Sequence, residues 1–309
     1  MAEIVISEFM DEAAVAELRA SFDVLYDKTF VDRPQELAAA ASGCRALIVR
    51  NRTRVRGGLL DGGRLRVVGR LGVGLDNIDC ETCRARGVAV IPATGANNTA
   101  VAEYVLAGLL LLVRGCYNGT AAVAAGAWPR ERMVGGEIAG KTLGLVGFGG
   151  IARDVAARAR ACGMRVMAHD PFLPSDAPDW ARLGVEPAGL DALLAASDAV
   201  SLHVPLTPDT RRLIDAARLA AMKPGAVLIN TSRGGIVDEE ALAGALRGER
   251  LAGALIDVFG TEPLPAGSPL AEVPNCLLTP HIAGVTRESN VRVSAVVARK
   301  VAECLRGDA

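Results

Sequence analysis

The stretch Leu143-Gly144-Leu145-Val146-Gly147-Phe148-Gly149-Gly150-Ile151-Ala152-Arg153 decides the fold. An apolar run enters a glycine turn and leaves into a helical segment, Ile151 to Cys162. Gly147 permits the turn, Gly149 lets backbone approach a pyrophosphate, and the small Ala152 lets helix pack on strand. Helix N-terminal N–H groups would then face the phosphates. A second strand, Arg165 to Ala168, leads to Asp170, 21 positions beyond Gly149. A carboxylate there holds an adenosine ribose 2′-OH and repels a 2′-phosphate, so NAD is expected over NADP. A lone glycine fingerprint is a weak signal; strand, turn, helix, second strand and acid in order make a strong one. Other adenosine-bearing ligands, such as S-adenosylmethionine, are the alternative.

Working outward, strand-like and helical runs alternate along all 309 residues, which predicts parallel sheets. In the first third the expected strands are Glu3–Ser7, Ala46–Val49, Arg66–Gly69 and Val88–Ile91, with helices at Asp11–Ala20 and Gln35–Ala41. The run Asn97–Arg114 reads as a helix too apolar all round to sit on a surface alone, so it is expected against another domain or subunit. Six further strands, Thr142–Val146, Arg165–Ala168, Ala199–Leu202, Ala226–Asn230, Leu255–Val258 and Cys276–Leu278, fit one full dinucleotide-binding sheet. No strand follows the last helix, Thr286–Leu305, which is expected to cross back onto the first domain. The expected division is 1–96 with 285–309, and 97–284.

Bulk properties exclude several classes. A net charge of −1 and a pI near 6.3 argue against a nucleic-acid surface, and no basic block suggests a membrane patch. The longest apolar helical run, Tyr104 to Val113, is too short to span a bilayer. Acidic Glu3, Glu8 and Asp11 argue against an ordinary signal peptide. Seven scattered cysteines suit reduced thiols in a cytoplasmic protein. Cys80-x-x-Cys83 is half a metal or redox motif with nothing to complete it; a short helix carrying two partly buried thiols is expected, and no metal.

Three histidines are present. His169 reads as a neighbour of the ribose acid, and His203 as a hydrogen-bonded structural residue near the cofactor. His281 differs: it follows Thr279-Pro280 at a strand end and precedes the small-residue turn Ile282-Ala283-Gly284. Ligands of open α/β sheets bind outside the carboxyl ends of strands. Neighbouring strand ends would supply Arg233, from Asn230-Thr231-Ser232-Arg233, and Glu262, from the loop after Asp257. A carboxylate beside an imidazole orients the ring, and a guanidinium can bind a carboxylate and stabilise charge on a carbonyl oxygen. Together, beside a dinucleotide, they suggest hydride transfer.

These segments, with Leu71-Gly72-Val73-Gly74-Leu75-Asp76-Asn77-Ile78-Asp79, Asn97-Asn98-Thr99-Ala100-Val101-Ala102-Glu103 and Ser201-Leu202-His203-Val204-Pro205-Leu206-Thr207, resemble the D-isomer-specific 2-hydroxyacid dehydrogenase family, nearest its phosphoglycerate dehydrogenase branch, over essentially the whole length. The resemblance implies a flavodoxin-like substrate domain and a Rossmann NAD-binding domain. It implies that His281 is the acid/base, that Glu262 pairs with it, and that Arg233 holds the substrate carboxylate and polarises the carbonyl. Asp257 would bind the nicotinamide carboxamide, Val204-Pro205 and Thr231-Ser232 would line the cofactor groove, and His281 and Gly284 would also touch the cofactor. The Gly72-Val73-Gly74 backbone would bind the substrate carboxylate. A homodimer is expected, as in similar enzymes. Ala152 stands where a third glycine is commoner, and the sequence leaves no room for the regulatory domain of many phosphoglycerate dehydrogenases, so serine feedback is not expected.

For the substrate, Leu47-Ile48-Val49-Arg50-Asn51-Arg52-Thr53 matters most. Two arginines flanking Asn51 at a strand end suggest a second anion at C3, a phosphate or sulfonate. The expected pair is therefore 3-phosphoglycerate or (S)-3-sulfolactate and its keto acid, with a slight lean to the sulfonate. Glyoxylate or hydroxypyruvate reduction is the alternative within the family. An NAD(H)-sensing binding protein is the alternative of another class.

Overall fold

A computed structural model describes residues 2–61 and 63–307. The chain forms two compact units, Met1–Asn97 with Val285–Ala309, and Asn98–Gly284.

The first unit is built on β1 (Ile4–Ile6), β2 (Val24–Tyr26), β3 (Ala46–Val49), β4 (Val67–Arg70) and β5 (Ala89–Pro92). They form a parallel sheet in the order β2-β1-β3-β4-β5, the flavodoxin-like arrangement. The central strands β1 and β3 are buried on both faces and read as continuous apolar runs. Ile4, Ile6 and Ile48 face one layer, where Val293, Val297, Val301 and Leu305 of the C-terminal helix Arg287–Arg306 cover them. Val5, Leu47, Val49 and Val68 face the opposite layer, under the helices Pro34–Ala41 and Cys80–Ala85. Gly69 makes the first contact possible: a Cβ there would stand 2.7 Å from Val297 and 2.8 Å from Val301. Four buried aliphatic side chains, at roughly 1.5–3 kcal/mol each, tie the C-terminal helix to this sheet. A capping box between Thr286 and Ser289 starts that helix, and left-handed Gly307 ends it.

The second unit carries β6 (Thr142–Val146), β7 (Arg165–His169), β8 (Glu186–Pro187), β9 (Ala199–Leu202), β10 (Ala226–Asn230), β11 (Leu251–Ile256) and β12 (Cys276–Leu278). Their order is β12-β11-β10-β9-β6-β7-β8, all parallel, and the order reverses between β9 and β6. The helix Asn98–Arg114 lays one face on this sheet, where Gly108 lets it approach; a Cβ would meet Leu255 at 2.1 Å. Its Leu110 and Leu111 remain exposed.

Both sheets are the expected doubly wound α/β layers. Three elements depart from expectation. β2 escapes the sequence reading because none of its three residues is fully buried and hydrophobic patterning there is weak. β8 adds a seventh strand of two exposed residues. β11 runs Leu251–Ile256, not Leu255–Val258: small Gly253 sits mid-strand because Leu112 and Asn275 come within 2.9 Å of where its Cβ would stand.

Candidate active site

Three neighbouring strands of the second unit end in the residues that carry chemistry. After β10, buried Asn230 folds the chain back: its side chain accepts the Ser232 amide at 3.1 Å and donates to the Arg233 carbonyl at 3.0 Å. Ser232 donates its hydroxyl to the Leu202 carbonyl at 2.5 Å, fixing this turn to β9. Arg233 emerges half-buried, with Nη1 donating to the Ser232 carbonyl at 2.6 Å. Gly234 follows because a Cβ would overlap the Phe259 carbonyl, 1.8 Å away. The Arg233 turn is thus pressed onto the loop that carries Glu262.

After β11, Asp257 is 1% exposed and its carboxylate is committed to its own chain. It accepts the Thr279 hydroxyl at 2.6 Å, and the Ile282 and Ala283 amides at 2.8 Å each. The Asp257 carbonyl accepts the His281 amide at 2.8 Å. Tyr104, from the helix Asn98–Arg114, hydrogen-bonds the Thr279 hydroxyl from the other side. Burial raises the pKa of the Tyr104 phenol, with the Thr279 contact opposing the shift.

After β12, His281 lies at φ +53°, a left-handed conformation uncommon for a residue with a Cβ. The Asp257 contacts on both sides hold it there. Its Nδ1 is 2.8 Å from Glu262 Oε2, and Glu262 Oε1 accepts the Phe259 amide at 3.0 Å. Both partners are about one-third exposed, so the ring remains accessible. Arg233, Glu262 and His281 therefore share one end of one sheet, with Glu262 on His281.

The glycine turn after β6 fits a dinucleotide. Gly147 has φ +90°, and a Cβ would meet the His203 carbonyl at 2.5 Å. Gly149 caps the helix Gly150–Ala161 with no side-chain acceptor and faces open space, leaving the first-turn amides for an anion. Asp170 accepts the Phe148 amide at 2.9 Å and the Phe172 amide at 3.0 Å, so this carboxylate, expected at the ribose, is locked against the glycine turn. Thr231 Oγ1 is buried without a hydrogen-bond partner, an orphan hydroxyl beside Ser232 that a ligand would satisfy. Val204 is half-buried and Pro205 exposed after β9; Gly284 follows the Asp257-bound amides. His203 corrects an expectation: its Nε2 is buried with no hydrogen-bond partner, and burial pushes its pKa down to about 4. His169 Nδ1 hydrogen-bonds the Ala188 carbonyl, 3.0 Å away. Among the described residues no group of three or more His, Cys, Asp or Glu could hold a metal.

In the first unit the two arginines after β3 have different fates. Arg52 is 59% exposed and ion-paired with Asp32. Arg50 is half-buried, donates Nη2 to Asn290 Oδ1 at 2.8 Å and lies over the Phe9 ring. Burial lowers its pKa, and Glu8 opposes that shift. Asn51 is exposed between them. Gly72 has φ +157°, and the Arg70 guanidinium occupies the space over it, 1.5 Å from where a Cβ would be. Val73 and Gly74 complete that turn, with Val73 37% exposed.

Sequence reasoning missed Tyr104, Thr279, Glu8, Asn290 and Arg70. Of these, Arg70 alone carries a readable signal, a strand-end arginine immediately before the Gly72-Val73-Gly74 turn.

Comparisons with known proteins agree with this geometry. The family described as D-isomer specific 2-hydroxyacid dehydrogenase, NAD binding domain, matches residues 106–283. The chain is 57% identical over 307 residues to an (S)-sulfolactate dehydrogenase of Chromohalobacter salexigens, covering 99% of each. It is 41% identical to a D-3-phosphoglycerate dehydrogenase of Mycobacterium leprae, covering 99% of this chain and 57% of that protein. The crystal structure of the TT0316 protein from Thermus thermophilus superposes with a TM-score of 0.89 at 38% identity, covering 98% of this chain and 97% of that one.

Proposed function

The chain belongs to the D-isomer-specific 2-hydroxyacid dehydrogenase family and is an NAD-dependent oxidoreductase of 2-hydroxyacids, and from that premise we propose that its substrate carries an anionic group at C3, best matched by (S)-3-sulfolactate and its keto acid. The observation that carries the proposal is Arg50. A half-buried guanidinium whose hydrogen-bond partner is a neutral amide retains its charge for a ligand, whereas Arg52 is already paired with Asp32. The extent of likeness to the sulfolactate dehydrogenase supports the sulfonate over the phosphate.

His281 is the proposed acid/base. With Nδ1–H donated to Glu262, Nε2 is the atom that takes the C2 hydroxyl proton during oxidation and returns it during reduction. Arg233 binds the substrate carboxylate and stabilises charge on the C2 oxygen; the Gly72-Val73-Gly74 amides are a second carboxylate contact. When bound, NAD supplies the hydride acceptor for C2. Gly147, Gly149, Gly150 and Ile151 would hold its pyrophosphate, Asp170 its ribose, and Val204, Pro205, Thr231 and Ser232 its flank. Asp257 has about one acceptor position left for the carboxamide, three of about four being taken. His281 and Gly284 bound the same end.

We assign the protein to the cytoplasm, on its seven free cysteines, and as a homodimer, on the exposed apolar side chains that follow the helix Asn98–Arg114, with Trp128 and Val134 each 80% exposed. No helix among the described residues is long and apolar enough to cross a membrane.

The test is NADH oxidation with purified protein on 3-sulfopyruvate, 3-phosphohydroxypyruvate, hydroxypyruvate and glyoxylate at equal concentration. A kcat/KM preference for 3-sulfopyruvate is expected. Preference for glyoxylate or hydroxypyruvate would make this a general keto-acid reductase, and no turnover on any would favour a sensor.

A further inference from the structure

We propose that Glu8 is a specificity-determining residue that biases the Arg50 loop toward a singly charged tail, a sulfonate, and against a doubly charged phosphate. This rests on the reading of Arg50 as the tail-binding group.

Glu8 follows β1 and is 4% exposed. Its carboxylate lies behind the turn that ends β3. Oε1 accepts the amides of Arg50 and Thr53, each at 2.9 Å, and Oε2 accepts the amide of Arg52 at 3.2 Å. Ser7 and Thr53 hydroxyls, 2.9 Å apart, close the same turn. Two consequences follow. Three amides that could have formed an anion-binding concavity are already occupied, so the turn meets an anion with side chains and not with a nest of N–H groups. A fixed negative charge also lies within hydrogen-bond distance of the Arg50 backbone. The Arg50 guanidinium is not ion-paired with Glu8 and feels that carboxylate only through space, whereas Arg52 is ion-paired with Asp32.

A sulfonate carries one negative charge across the working range, while a phosphate monoester has a second pKa near 6 and is mostly dianionic at neutrality. One guanidinium matches the first. The additional charge of the second is drawn in against the Glu8 carboxylate, whose field is screened little because the group is buried. Asp32 is exposed, so its influence falls away in salt.

The experiment compares kcat/KM for 3-sulfopyruvate, 3-phosphohydroxypyruvate and hydroxypyruvate in the wild type, Glu8→Gln, Glu8→Ala and Asp32→Asn. Removing the Glu8 charge is expected to raise the phosphate-to-sulfonate ratio about tenfold, or about 1.4 kcal/mol, and the ratio is expected to survive added salt. Asp32→Asn is expected to move it by less than about twofold. Equal losses on both charged tails would show that Glu8 only shapes the turn and would overturn the proposal. A wild type that favours neither charged tail over hydroxypyruvate would overturn the reading of Arg50 itself. Should the Glu8 variants fail to fold, wild-type inhibition decides. In mildly alkaline buffer, where the phosphonate carries two charges, 3-sulfopropionate is expected to bind about tenfold more tightly than 3-phosphonopropionate. Equal affinities would refute the role of Glu8.

Discussion

Thr279 donates its hydroxyl to Asp257 at 2.6 Å, and this one contact links the strand end before His281 to the carboxylate that holds the amides after it. His281 is gripped on both sides of its own left-handed backbone, with Tyr104 closing the chain of hydrogen bonds at Thr279. The imidazole is aimed by backbone anchoring as much as by its contact with Glu262.

Thr279→Val keeps the shape and removes the donor, leaving buried Asp257 one hydrogen bond short. A loss of about 1–3 kcal/mol in stability is expected, with kcat reduced about tenfold and largely restored in Thr279→Ser. Steady-state kinetics beside thermal melts check it; a lower Tm with kcat unchanged would make the contact structural only.

His281→Ala should lower kcat by about 10²–10⁴-fold, the scale for losing a positioned acid/base, while NADH binding measured by fluorescence stays near wild type. Glu262→Gln should cost less, because a neutral amide oxygen still accepts the Nδ1 proton. Near-wild-type turnover of His281→Ala would remove it from the mechanism.

Asp170→Ala should raise the ratio of NADPH to NADH efficiency, since the carboxylate that repels a 2′-phosphate is gone. It should also loosen the glycine turn, because the Phe148 amide loses its acceptor. Unchanged cofactor selectivity would show the ribose acid to be elsewhere.

Acid should destabilise the second unit through His203. Its pKa falls from 6.5 in the unfolded chain to about 4 when buried, so the folded state binds the proton less readily. The stability of the neutral ring is fully present above about 6.5 and is lost as pH falls toward 4, up to about 3 kcal/mol. Melts across that window should show a steeper fall for wild type than for His203→Gln. Parallel slopes would contradict it.

Arg50→Ala should raise KM for 3-sulfopyruvate by about tenfold or more, while Arg52→Ala should change it little, as exposed ion pairs contribute about 0–1 kcal/mol. Equal effects of the two would put the tail-binding charge on the whole turn.

What the sequence makes legible is what backbone geometry forces on residue identity. Gly147 needs positive φ and close packing on the His203 carbonyl, so the glycine fingerprint can be read directly. Buried runs such as Ala46–Val49 and Ala226–Asn230 announce strands because both faces are covered. β2 and β8 lack that coverage and are silent. The two arginines beside Asn51 look equivalent in sequence, and only their distant partners, Asn290 and Asp32, tell them apart. Glu8 is equally opaque, since its role is to accept three amides more than forty residues away.

The pairing of Ile256 with Leu278 places Asp257 beside Thr279 and sets how far Glu262 stands from His281. One residue of slippage between those strands would displace the imidazole by about 3.3 Å and turn its side chain to the other face, breaking a 2.8 Å contact outright. The ladder between β11 and β12 thus works as a gauge for the contact between His281 and Glu262. Substitutions that merely loosen this sheet edge, remote from any ligand, should register first as lost turnover and only later as lost fold.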